Sequence, residues 1–118
     1  MVYPPLLLDH FEHPRNVGEL PDATAIAQIE NPACGDVLKL SLKIVDGRIA
    51  EARFRAKGCV PAIACGSALT ELVVGRLLAE AKQVSREAVA AAVGGLPEAS
   101  THAGQLAVEA LAAALKRV

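Results

Sequence analysis

Asn31-Pro32-Ala33-Cys34-Gly35-Asp36 places a thiol and a carboxylate two positions apart on one short stretch. Pro32 and Gly35 punctuate the backbone and argue for a turn rather than a helix. Side chains from such a turn can point at the same cation. A second thiol, Cys59, follows further along, and an imidazole, His102, lies near the start of the last apolar stretch. Thiolate, thiolate, imidazole and carboxylate form a plausible four-coordinate set for Zn²⁺, and thiolates equally suit iron–sulfur clusters. The expectation is that Cys34, Asp36, Cys59 and His102 meet at one metal or iron–sulfur site.

The elements that must bring them together follow from periodicity. Ala23 to Glu30 alternates loosely and reads as a strand entering the Cys34 turn. From Val37 to Val45, Leu38, Leu40, Leu42 and Ile44 share one side, and Lys39, Ser41 and Lys43 take the other. That period of two marks a half-buried strand. Asp46-Gly47 is a strong two-residue hairpin signal. The returning strand, Arg48 to Lys57, sets Ala50, Ala52, Phe54 and Ala56 against Glu51, Arg53, Arg55 and Lys57. A three-stranded antiparallel sheet follows, packed on one face and wet on the other. Cys34 and Cys59 are equally distant in sequence from the Asp46-Gly47 turn. The hairpin register therefore makes them near cross-strand neighbours, barring a bulge.

Pro61 suits the first turn of a helix, where its missing N–H costs nothing, and an Ala/Leu/Val-rich helix runs from there to about Gly75. Cys59, just ahead of it, is expected to feel a helix N-terminus that favours thiolate. Short helices are expected over Leu77 to Ala81 and Ala88 to Val93, the second starting near Ser85. After Gly94-Gly95-Leu96-Pro97, Ser100 or Thr101 should cap a final helix. Its apolar residues, from Ala103 to Leu115, recur at three- and four-residue spacing. His102 in its first turn should favour neutral imidazole, the metal-binding form. Cys65 falls on an apolar stripe with Leu69 and Leu72, ~9 Å along a helix axis from Cys59, and reads as a packed core thiol. Residues 1–20 look like a short helix and a loop. Its histidines, His10 and His13, could bind a metal on a helix face, but the plainer reading is surface polarity beside a turn.

Composition bounds the function. The 118 residues suit one domain, residues 1–118, and 53% apolar content argues against disorder. A net charge of −1 gives no global basic field for nucleic acid. No apolar run approaches the ~20 residues that span a bilayer, and the N-terminus has no basic region typical of a signal peptide. Three cysteines without a short-spaced pair argue against a disulfide framework and for a reducing cytoplasm. A thiol enzyme, with Cys34 or Cys59 as nucleophile and His102 as base, lacks any oxyanion or substrate-pocket signature, so no catalytic residue is assigned.

These motifs resemble the IscU-type iron–sulfur cluster assembly scaffolds, which also form the N-terminal domain of NifU. Asp9-His10-Phe11 with Pro14-Arg15-Asn16-Val17-Gly18 is similar to that family's N-terminal signature. Asn31 to Asp36 resembles its first ligand loop. Phe54 through Gly58-Cys59, with Ala62-Ile63-Ala64 and Thr70-Glu71, resembles its second. The resemblance implies an α+β fold with a three-stranded antiparallel sheet packed on one face by helices. It implies a [2Fe–2S] cluster built from iron and from sulfur delivered by a cysteine desulfurase, then passed to apo-proteins, with no enzymatic turnover of its own. A cluster shared between subunits would make a homo-oligomer. By resemblance Cys34 and Cys59 match two ligand cysteines, Asp36 the associated carboxylate, and His102 the last-helix histidine. The family's third cysteine directly follows that histidine, and here the position is Ala103. The chaperone-recognition segment of bacterial relatives, Leu-Pro-Pro-Val-Lys, corresponds to Leu96-Pro97-Glu98-Ala99-Ser100, which weakens the case for chaperone docking. A zinc- or iron-binding regulator or sulfur acceptor of a desulfurase is the alternative these departures leave open.

Overall fold

A computed structural model describes residues 2–118. Three strands, β1 (Ala25–Asn31), β2 (Asp36–Val45) and β3 (Arg48–Lys57), form an antiparallel sheet in the order β1-β2-β3. Asp46 and Gly47 both have positive φ, 52° and 74°, the pairing a tight right-twisting hairpin demands. Leu38, Leu40 and Leu42 are fully buried on the helix-covered face, as the alternation predicts.

The returning strand departs from strict alternation. Lys43 faces Glu51, whereas Ile44 faces Ile49, so Ala50 is left without a partner as a bulge. The bulge turns Ile49 inward to 0% exposure and leaves Ala50 on the surface, reversing the expected face of Ala50. The physical reason is area. Burying an isoleucine side chain contributes about 1.5–3 kcal/mol, and an alanine offers only one methyl. The backbone of Ile49 is also held from outside, its N–H donating to Arg76 O and its C=O accepting from Gly75 N–H.

Among the described residues, five α-helices accompany the sheet: α1 (Pro5–Glu12), α2 (Val60–Val73), α3 (Leu78–Ala81), α4 (Arg86–Ala92) and α5 (Thr101–Leu115). Ser85 caps α4 by accepting the Ala88 N–H at 3.1 Å. Ser100 holds the N-cap position of α5 without a side-chain cap bond, because a 3₁₀ turn over Glu98–Ser100 leads into it. Helices α2 and α5 lie on the sheet, and their buried Ala64, Ala68, Leu69, Ala107, Ala110 and Leu111 join the strand leucines and Phe54 in one core. Gly66 lets α2 settle on the sheet, since a Cβ there would lie 2.7 Å from the Phe54 ring and 2.8 Å from Leu38.

Helix α1 docks on α2, and the segment after it lies along the outer edge of β3. Phe54 N–H donates to Asn16 O, and Gly18 N–H to Phe54 O, both at 2.9 Å. His10 is 6% exposed rather than a surface residue. Its Nδ1 lies 2.8 Å from Ser67 Oγ, which also accepts the Arg15 N–H, and its Nε2 faces Glu71 at 3.6 Å. A tautomer protonated at Nε2 lets the Ser67 hydroxyl donate to Nδ1 and turns the Nε2–H toward the Glu71 carboxylate. His13 remains exposed, so the two histidines share no site.

Candidate metal centre

Each site residue sits at the end of an element. Cys34 occupies the turn between β1 and β2, which closes when Gly35 N–H donates to Asn31 O at 2.7 Å and Ala33 N–H to Asn31 Oδ1 at 3.0 Å. Asp36 is the first residue of β2, Cys59 the N-cap of α2, and His102 stands in the first turn of α5. The β1–β2 turn, the end of β3 and the starts of α2 and α5 thus open onto the same end of the sheet, opposite the Asp46-Gly47 hairpin.

The register past the Ala50 bulge is shifted by one. Val37 pairs with Lys57, which sets Asp36, rather than Gly35, opposite Gly58, the residue before Cys59. Asp36 is consequently the centre of the group. It is 3% exposed. Its Oδ1 accepts the Cys59 N–H and its Oδ2 the Cys59 S–H, each at 3.2 Å. His102 Nε2 lies 3.6 Å from Asp36 Oδ2 and 3.9 Å from Cys59 Sγ. One donor atom each from Cys34, Asp36 and His102 fall within 4.8 Å of one another. Cys59 stands outside that trio but contacts Asp36 and His102, so Asp36 and His102 are the groups both thiols adjoin, with Cys34 exposed and Cys59 half-buried.

Burial pushes the Asp36 carboxyl up, but hydrogen bonds from the Cys59 thiol, the Cys34 thiol and the Cys59 amide, with the His102 charge, outweigh it. The net result lies below the ordinary carboxylate value. Cys59 moves the other way. Burial raises its thiol, the Ala62 N–H at the helix start opposes this, and Asp36 raises it further. The helix N-terminus alone does not make Cys59 a thiolate, because burial first, and then the adjacent carboxylate that accepts its S–H bond, favour the neutral thiol. Cys65 is fully buried, and burial pushes its thiol up to about 12. It is a core thiol, as its stripe suggested. Ala103 is 1% exposed and belongs to the core beside the site.

The donor set of two sulfurs, one imidazole nitrogen and one carboxylate oxygen suits zinc or iron with sulfide, and has no hard all-oxygen character. The turn geometry of Asn31 and the slot occupied by Asp36 were not legible before the structure. The signal that could have exposed the latter was the glycine at position 58.

Over residues 2–118 the chain matches the family described as the NifU-like N terminal domain. It belongs to that family. The chain is 41% identical over 114 residues to the iron-sulfur cluster assembly scaffold protein IscU 1 of Archaeoglobus fulgidus, covering 97% of this chain and 74% of that protein. It is 39% identical over 121 residues to the scaffold protein IscU of Azotobacter vinelandii, covering 98% and 93% respectively. Nitrogen fixation protein NifU of Cereibacter sphaeroides is 50% identical over 108 residues, 92% of this chain but 44% of that protein. Among solved structures, the N-terminal NifU-like protein of Brucella abortus superposes with a TM-score of 0.81 at 17% identity, covering 96% of this chain and 91% of that one. That likeness establishes the NifU-like fold, α+β with a three-stranded antiparallel sheet.

Proposed function

We propose that this member of the NifU-like family is an iron–sulfur cluster assembly scaffold. Iron and sulfur are its cargo, held by Cys34, Cys59, Asp36 and His102, and it is not an enzyme. The observation that carries the reading is the convergence of two thiols and an imidazole on one buried carboxylate at the end of the sheet. The names of its relatives, scaffold proteins from an archaeon and a bacterium, point the same way.

The chain's own residues divide the work. Cys34 is reachable from solvent and takes up incoming cargo. Asp36, held below its ordinary value, stays a carboxylate and accepts the proton-bearing edge of Cys59 until cargo replaces that proton. Metal binding to thiols releases protons, so loading strengthens as pH rises. Cys34, Asp36, Cys59 and His102 would supply four donors to an iron–sulfur cargo without a thiol at position 103. A cysteine desulfurase as sulfur source, apo-proteins as recipients and a cytoplasmic setting complete the reading; among the described residues no helix is long and apolar enough to cross a membrane.

The test is anaerobic reconstitution with iron, cysteine and a desulfurase. Visible absorption bands of a cluster should appear, and should be lost in Cys34→Ala and Cys59→Ala. A colourless zinc form that never acquires such bands would instead identify a metal-binding regulator.

A further inference from the structure

We infer that Gly58 is a positioning residue for this site: its missing side chain is the slot in which the Asp36 carboxylate sits to hold Cys59. The inference rests on the proposed role of Asp36 and Cys59 but concerns a residue outside the donor set. An ideal Cβ built on Gly58 would lie 2.1 Å from Asp36 Oδ1, 2.6 Å from its Cγ and 3.0 Å from its Cβ. Non-bonded atoms do not approach so closely, so any side chain at position 58 displaces the carboxylate. Asp36 cannot yield sideways cheaply. It is the first residue of β2 and pairs with Asn31 in β1, its neighbour Val37 pairs with Lys57 in β3, and it is 3% exposed. Displacement removes both bonds to Cys59, the N–H at Oδ1 and the S–H at Oδ2. The shifted register past Ala50 is what brings Gly58, rather than a bulkier residue, opposite the carboxylate. The turn Cys34 to Asp36 and the start of α2 are therefore coupled through a glycine.

Gly58 also has a φ of +149°, so a substitution carries backbone strain besides the contact. Gly18 separates the two effects: its φ is +131° and nothing lies within 4 Å of its ideal Cβ. The experiment is amide hydrogen exchange on the metal-free protein, followed residue by residue, with Gly58→Ala, Asp36→Ala, the double variant and Gly18→Ala. In Gly58→Ala the Cys59 amide should exchange roughly tenfold faster, as in Asp36→Ala. The β2–β3 ladder should keep its protection. The double variant should exchange no faster at Cys59 than Asp36→Ala alone, and Gly18→Ala should leave Cys59 unchanged. Wild-type protection of Cys59 in Gly58→Ala, or effects that add in the double variant, would overturn the inference. If Gly58→Ala does not fold, recovery of the fold in the Asp36→Ala background supports the contact, and failure to recover refutes it. Because these readouts need no metal, they are independent of reconstitution: absent cluster bands with the coupling intact would sink the scaffold reading alone.

Discussion

Asp36 is the residue on which the site turns. It is buried, ionised and engaged by both the backbone and the thiol of Cys59. Asp36→Ala should weaken metal retention by on the order of tenfold or more, read by competition with a chromogenic chelator. Its effect on stability has a definite pH sense. The folded carboxyl lies below its ordinary value, so its contribution is present above the unfolded value of about 3.9. That contribution is lost as pH falls through the folded value. Acid titrations of wild type and Asp36→Ala followed by circular dichroism should therefore converge at low pH.

At the scale of elements, the docking of α1 on α2 depends on polar groups buried at their contact. Ser67 is fully buried and serves both His10 Nδ1 and the Arg15 N–H, so Ser67→Ala should cost about 1–3 kcal/mol in urea unfolding. His10 makes this contact pH-dependent. Burial lowers its value and Arg15 lowers it further, against Glu71 and Asp9, which raise it. Between the folded value and the unfolded value of about 6.5, the unfolded chain binds more protons. Stability should thus be full above about pH 6.5 and fall as pH drops toward the folded value. A His10→Gln variant should lack that part of the slope. On the sheet side of α2, Gly66→Ala should cost about 1–3 kcal/mol, because its methyl meets Phe54 and Leu38 at under 3 Å.

For the molecule as a whole, one core must be built almost without aromatic residues, which make up 3% of the chain. Phe54 is the largest of its fully buried side chains, set between the sheet and Gly66 of α2. Phe54→Ala should destabilise by about 3–5 kcal/mol, measured by chemical denaturation, because close-packed alanines cannot move in to fill the gap. The sequence by itself determined the elements and, apart from the start of β3, their inward faces. A period of two in β2, the Asp46-Gly47 turn, the proline-started α2 and the apolar spacing of α5 are local signals that need no partner to be read. It also determined which thiols stood at element ends and which, Cys65, stood within the core. Tertiary structure alone decided the bulge at Ala50, the one-residue register shift that puts Asp36 over Gly58, and the burial of His10 against Ser67. The reason is that each is a competition between distant groups: an isoleucine for the core, a carboxylate for a thiol 23 residues away, an imidazole for a hydroxyl 57 residues away. No local pattern encodes the outcome of such contests.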